Sequence, residues 1–286
     1  MAPVLEIKDL EKRYTGFALD KISFTLEAGY IMGLIGPNGA GKTTTIKLIM
    51  NLLKRDGGEI LLFGQDYGNA IEERRIKDRI GFIYEDNFYY EDLTLREMKG
   101  LIAPFYSSWD EKTYKNFLSD FGLPETKKIK ELSKGMKVKF SLVIALSHNA
   151  DLLILDEPTS GLDPLIRREV LDLLSALIQD ENKAVLFSTH ITSDLEKSAD
   201  FITLLKDGKV VFTTAKDSLL DTYGIVKGPR ELLAGERSGL FLGTKENQFG
   251  FEGLVKDRIK ARDLLGGKVV IEKPSLEDLI YYILRN

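Results

Sequence analysis

Gly36-Pro37-Asn38-Gly39-Ala40-Gly41-Lys42-Thr43-Thr44 fits G-x-x-x-x-G-K-[ST], the pattern of a phosphate-binding loop. Its flanks carry the context the pattern needs. The apolar run Tyr30-Ile31-Met32-Gly33-Leu34-Ile35 before it reads as a buried strand. The run Thr45-Ile46-Lys47-Leu48-Ile49-Met50 after it reads as the first turns of a helix. The chemistry is anion binding. Glycines let the backbone wrap a phosphate with no side chain in the way, so successive N–H groups converge on it. The helix start adds unpaired donors and the positive end of its dipole. Lys42 supplies a mobile positive charge to the outer phosphates, and Thr43 a hydroxyl for Mg²⁺. The loop alone points to a nucleoside triphosphate and leaves open what its energy drives.

Composition bounds the rest. A chain of 286 residues has room for one large domain and a small one. The net charge of −4 speaks against nucleic-acid binding. Cysteine is absent, which excludes disulfides and thiolate chemistry and suits a reducing compartment. The first residues show no basic run followed by an apolar core, so no signal peptide is expected. No window approaches the ~20 continuous apolar residues that span a bilayer. A membrane role is therefore expected to run through a partner.

Upstream of the loop, Val4–Lys8 alternates as a strand and Ile22–Leu26 forms another, with Tyr14 between them. A lone tyrosine there is either packing or a platform for a base. Downstream, Gly57–Gly64 reads as a turn and strand, residues 69–79 as a charged surface helix, and Ile80–Glu85 as a short strand ending in an acid. Thr94 and Glu97 have capping-box spacing, and Asp110–Phe121 suggests a further helix. Ser133 opens a helix as its N-cap, and Met136, Phe140, Val143, Ile144 and Ser147 share one face.

The apolar stretch Asp151–Leu155 ends on two carboxylates, Asp156 and Glu157. Such a strand can deliver an aspartate to Mg²⁺ at the edge of a parallel sheet, and a second acid can orient or deprotonate water. Asp163 is placed as a helix N-cap with Pro164 at the first position. Ala184–Ser188 is one more buried strand and ends at Thr189-His190, which puts His190 on the same sheet edge. Ser193 and Glu196 are expected to cap the next helix. Phe201–Thr213 reads as a hairpin turning at Asp207-Gly208. From about Tyr223 the pattern changes, with short strands at Gly224–Lys227, Gly239–Gly243 and Gly267–Glu272 among short helices. The last helix, capped by Ser275, carries Leu276, Leu279, Ile280, Ile283 and Leu284 on one face.

Over about residues 4–215, with these motifs in the family order, the chain resembles the ATP-binding subunit of ABC transporters. The resemblance implies an α/β fold. A P-loop NTPase (RecA-like) core carries an antiparallel β subdomain and a helical signature subdomain at about 86–150, all within an ATP-binding domain at 1–215. A small α+β accessory domain follows at 222–286. It implies ATP and Mg²⁺ as cofactors. Tyr14 would stack on adenine, and Gly36, Pro37, Asn38, Gly39, Ala40, Gly41, Lys42, Thr43 and Thr44 would hold the phosphates. Thr43, Asp156 and Glu85, at the Q-loop position, would serve the metal. Glu157 matches the general base and His190 the switch histidine, with Lys42 stabilising charge. Leu132-Ser133-Lys134-Gly135-Met136 is a variant signature whose Ser133 and Gly135 would meet the γ-phosphate, and Asp163 matches the D-loop. Partners are a second ATP-binding subunit, identical or not, meeting head to tail, and an integral membrane chain, with no nucleic acid. The implied location is cytoplasmic, on the inner face of the cell membrane. The Ser-Lys-Gly-Met variant is similar to bacterial exporters whose membrane subunit is a separate chain.

Two positions depart from the family. Glu85 replaces the usual glutamine with a charge, and the signature lacks its second glycine and its glutamine. Other readings are weaker. A kinase or GTPase would not need the signature, the D-loop or His190. A DNA-repair ATPase would insert a coiled coil between Lys42 and Asp156, where no heptads run. A ribosome-acting ATPase would carry two cassettes, and a mere binding module would not need the catalytic set. In the family the groove for the membrane partner lies beside the Q-loop, here Glu85 to Asp92. Phe88, Tyr89 and Tyr90 either pack into the helical region's own core or face that partner. In the second case the acids at 85, 86, 91 and 92 would favour a basic segment.

Overall fold

The structure is a computed structural model and describes residues 3–85, 88–233 and 239–285. Two compact units divide the chain, Met1–Thr213 and Thr214–Asn286.

The first unit contains β1 (Leu5–Tyr14), β2 (Phe17–Leu26), β3 (Ile31–Ile35), α1 (Lys42–Ile49), β4 (Gly57–Leu62), α2 (Ala70–Lys77), β5 (Ile80–Ile83), α3 (Leu95–Ile102), α4 (Glu111–Asp120) and α5 (Lys134–Ser147). It continues with β6 (Leu152–Leu155), α6 (Pro164–Leu177), β7 (Ala184–Thr189), α7 (Thr192–Ser198), β8 (Phe201–Lys206) and β9 (Lys209–Ala215). Its main sheet has the order β5-β6-β7-β3-β8-β9. The first five of these strands run parallel, and every residue of β3, β6 and β7 is buried. That double burial is why β3, β6 and the first part of β7 read as apolar runs rather than alternations, with β7 ending in the buried Ser188 and Thr189.

Register fixes what the sheet edge carries. Ile35 pairs with Thr189, Phe187 with Leu155, and Leu155 with Ile83. The residues that follow, Gly36, His190, Asp156 and then Glu85, therefore leave the sheet along one carboxyl-terminal edge. Ligands of open α/β sheets bind at such an edge.

A second sheet, β2-β1-β4, is antiparallel. Helical residues form a third layer with its own core, in which Leu95, Met98, Tyr114, Leu118, Phe140, Val143 and Ile144 are buried. Local chemistry sets the helix starts. Asn69 with Glu72 and Thr94 with Glu97 make capping boxes for α2 and α3. The expected cap of α7 is corrected. The helix begins at Thr192 with Ile191 as N-cap, and Ser193 instead accepts a hydrogen bond from Arg167 at 2.8 Å.

Tyr89 belongs to the helical core. Its ring packs edge-on to Phe140 at 5.3 Å and its hydroxyl donates to Ser141 at 3.0 Å. Burial pushes its pKa up to about 12. Phe88 and Tyr90 point the other way, at 77% and 68% exposure. The stretch of three aromatics is thus split between core and surface. Glu91 and Asp92 pair with Lys137 and Lys130 of the same chain, which weakens the expected preference for a basic segment. Asp86 lies outside the described residues.

His148 is buried at the end of α5, stacked on Tyr106 at 3.7 Å. Its Nδ1 lies 3.0 Å from the Ile144 carbonyl and its Nε2 3.2 Å from that of Ile80. A neutral imidazole donates to only one. Burial nevertheless holds its pKa below the ordinary 6.5. The unfolded chain then binds the proton more readily, so this contribution to stability is complete above pH 6.5 and is lost as pH falls through the folded value. Thermal melts are expected to show falling stability between about pH 7 and pH 5, and a His148→Gln variant to lose that dependence. Parallel pH profiles for the two proteins would count against this account.

The second unit holds α8 (Lys216–Thr222), β10 (Gly224–Gly228), β11 (Phe241–Asn247), β12 (Gly250–Val255), α9 (Arg258–Leu265), β13 (Val270–Glu272) and α10 (Leu276–Arg285). Its antiparallel sheet has the order β11-β12-β10-β13. Strand β12 was not expected from the sequence, because Gly253 breaks its apolar run. A Cβ at that glycine would sit 2.8 Å from the Phe241 ring on the neighbouring strand, so the side chain is missing for close packing. Ser275 caps α10, accepting from the Asp278 N–H at 3.0 Å. The buried face of that helix is Leu276, Leu279, Ile280 and Tyr282, with Ile283 and Leu284 half-buried. It lies against β11 and β12 of its own unit.

Candidate functional site

A cleft of about 570 Å³ opens at the sheet edge, walled by Phe17, the loop residues 38–44, Glu85, Glu157, Ser160 and His190. The loop turns into α1 at Gly41, whose φ of 108° is left-handed. A Cβ there would meet the Leu19 side chain at 2.4 Å, so both torsion and space require glycine. The amino end of α1 is thereby aimed at the cleft.

Lys42 is buried and folded back onto its own loop. Its Nζ donates to the Gly36 carbonyl at 2.8 Å and lies 3.5 Å from Glu157 Oε1. Glu157 Oε2 sits 2.9 Å from His190 Nδ1. A carboxylate only accepts, so Nδ1 carries a proton here, and Nε2 has no hydrogen-bond partner among the described residues. The Glu157 carboxylate therefore lies between an ammonium and an imidazole. Its backbone φ is 49°, an uncommon left-handed value for a residue with a side chain.

Asp156 is buried next to it. Its Oδ1 accepts from Ser188 at 2.6 Å and from Thr43 at 3.3 Å. Hydroxyl and carboxylate together fit Mg²⁺, which dehydrates reluctantly and takes one or two protein oxygens alongside substrate phosphates. Among the described residues no three His, Cys, Asp or Glu side chains gather to hold a metal by themselves. Glu85 is exposed on the cleft wall.

Not every candidate residue meets the cleft. Tyr14, 45% exposed, stacks on Phe17 at 6.5 Å, and it is Phe17 that forms the wall. Sequence reasoning passed over Phe17. The signal was its position across the turn from Tyr14, with which it pairs at the end of the β1–β2 hairpin. Ser133 caps α5, accepting from Met136 N–H at 3.2 Å, and Asp163 caps α6, accepting from Leu165 and Ile166. Both are exposed, and neither they nor Gly135 line the cleft of their own chain. Ser188 was also missed, since a serine inside an apolar strand carries no motif.

A parallel sheet with a glycine loop, a loop lysine and two strand-end carboxylates on one edge defines a P-loop nucleoside triphosphatase. The comparisons narrow the class. Residues 19–160 match a family model described as ABC transporter. An uncharacterized ABC transporter ATP-binding protein of Nostoc sp. is 33% identical, over 96% of this chain and 88% of its own. The bacitracin transport ATP-binding protein of Bacillus licheniformis is 35% identical, over 74% of this chain and 69% of its own. A solved structure of the ATP-binding subunit of an ABC transporter superposes with a TM-score of 0.68 at 33% identity, covering 76% of this chain and 91% of that one. The chain belongs to the ATP-binding subunits of ABC transporters. It binds and hydrolyses ATP and drives transport through a partner. Among the described residues no helix is long and apolar enough to cross a membrane.

Proposed function

We propose that this subunit powers export through a separate integral membrane chain, working in a head-to-tail dimer at the inner face of the cell membrane. ATP lies between the loop Gly36–Thr44 of one subunit and Ser133 and Gly135 of the other. The observation that carries the chemistry is the Glu157 carboxylate held between Lys42 and His190. Glu157 orients the attacking water and accepts its proton. Lys42 leaves the loop carbonyls for the outer phosphates, and His190 turns its free Nε2 toward the transferring group. Thr43 and Asp156 hold Mg²⁺, with Glu85 at the cleft rim; the ion supplies charge neutralisation on the phosphates when bound. Tyr14 and Phe17 form the platform for the adenine ring. The exposed starts of α5 and α6 at Ser133 and Asp163 suit contacts made across a dimer rather than within a chain. Export is favoured by the Ser133-Lys134-Gly135-Met136 signature and by relatives that include a Nod factor export ATP-binding protein. The unit from Thr214 onward takes no part in hydrolysis.

The membrane chain docks on the exposed aromatics beside Glu85. Co-expression with that chain and reconstitution into vesicles tests this reading. Phe88→Ser with Tyr90→Ser is expected to abolish co-purification and transport while ATP binding by the isolated subunit stays normal. Tyr89→Ala is expected instead to destabilise the fold by about 2 kcal/mol, because it empties part of the helical core. Full co-purification of the surface double variant would place the partner elsewhere.

A further inference from the structure

The reading of Asp156 as metal carboxylate and Glu157 as base leaves open what keeps the two in register. They are neighbours on a tight turn after β6, one serving a cation and the other water. Adjacent side chains on such a turn diverge, and Glu157 holds a left-handed backbone value. A small rotation of the intervening peptide would move both groups together.

One buried hydroxyl touches both. Ser188, on the adjacent strand β7, is fully buried. Its Oγ donates to Asp156 Oδ1 at 2.6 Å and accepts from the Glu157 backbone N–H at 2.9 Å. A hydroxyl has one donor and two acceptor sites, so the proton is committed to Asp156 and a lone pair to Glu157. Phe187 pairs with Leu155 in the sheet, which brings Ser188 alongside Asp156. Thr43 donates to the same oxygen, Oδ1. Two hydroxyls thus converge on one carboxylate oxygen, and Oδ2 accepts no hydrogen bond among the described residues. His190 lies two residues beyond Ser188, so the same strand end also carries the imidazole that touches Glu157.

We infer that Ser188 is a positioning residue that sets the metal carboxylate and the general base in register through this single hydroxyl. It fixes the Asp156 rotamer so that Oδ2 is reserved for the cation, and it pins the peptide that gives Glu157 its left-handed turn. Groups that orient metal ligands in this way typically control affinity or activity by about 10–100-fold.

The experiment measures equilibrium binding of a fluorescent ATP analogue to the full chain, in EDTA and across a Mg²⁺ titration, alongside steady-state ATPase. Ser188→Ala is expected to leave binding in EDTA unchanged, to shift the Mg²⁺ midpoint upward by about tenfold, and to lower kcat by about 10–100-fold with little change in KM. Ser188→Thr, which keeps the hydroxyl, is expected to restore both. Ser188→Cys, close in size but a weak donor, is expected to fall between, and it carries the test if the alanine variant fails to fold. A purely packing role would lower thermal stability without moving the Mg²⁺ midpoint, and that result would overturn the proposal. Glu157→Gln and Asp156→Asn are measured in parallel. Wild-type behaviour of those two would sink the site reading itself, whereas their loss beside a normal Ser188→Ala would sink only the role of Ser188.

Discussion

Glu157→Gln is expected to lower ATP turnover by about 10³-fold while leaving ATP binding intact. The amide keeps the volume and planar shape of the carboxylate, and its oxygen still accepts from His190 Nδ1, now at 2.9 Å from Oε2. What it lacks is the ability to take a proton from water. It also lacks the charge that holds Lys42 Nζ at 3.5 Å. Lys42 is then tied only to the loop carbonyls and is freer to reach a phosphate, so affinity for ATP should be no weaker than in the wild type. With hydrolysis blocked, a dimer that depends on ATP should persist. Equilibrium binding, steady-state ATPase and size exclusion with and without Mg²⁺-ATP measure the three outcomes. Turnover within about tenfold of the wild type would remove Glu157 from the role of base.

The chemistry of this site was legible where it is carried by strand ends. Parallel strands buried on both faces are largely apolar, so the residue that leaves the sheet just past each strand end stands out. Gly36, Asp156 and His190 all mark such exits, and the register of β3, β6 and β7 brings them together. Fold class came with the family resemblance that these motifs carry in order, not from the strand pattern by itself. Residues that act from inside an element were not legible. Ser188 is a polar position near the end of β7, and its partners Glu157 and Asp156 lie in the turn after β6, 31 and 32 residues away. Phe17 was hidden by the more conspicuous Tyr14. The aromatic run 88–90 was read as one unit, but the side chains of neighbouring residues diverge in an irregular segment, so Tyr89 turns inward while Phe88 and Tyr90 do not. In the second unit β10, β11 and β13 overlap stretches that read as strands, whereas β12 was lost because Gly253 interrupts its apolar run.

The second large effect is expected behind the site rather than in it. Asp194 on α7 is 1% exposed and accepts from Thr159 Oγ1 at 2.7 Å and from Arg167 Nε at 2.5 Å. Arg167 comes from α6, and its Nη2 also donates to Ser193. Thr159 is two residues beyond Glu157, so this network ties the turn that carries the base to both helices that follow it. A buried carboxylate is tolerable only while it is paired. Arg167→Met keeps the aliphatic stem but leaves Asp194 with a single hydroxyl. Because the Arg167 side chain is 25% exposed, the expected cost is taken at the low end of the range for a broken buried pair, about 3 kcal/mol. For a unit of this size that corresponds to a fall in Tm of about 6–12 °C. Thr159→Val removes one hydroxyl bond to the carboxylate while leaving the ion pair, and should cost about 1.5–2 kcal/mol. Replacing both charged partners, Arg167→Met with Asp194→Leu, should recover much of the loss, because no uncompensated charge is then buried. Thermal melts of the three variants and the wild type measure this order. If Arg167→Met melts within about 2 °C of the wild type, the pair is not what holds this turn. A melt restored in the double variant with kcat still depressed would assign the network to the aim of Glu157 as well as to stability.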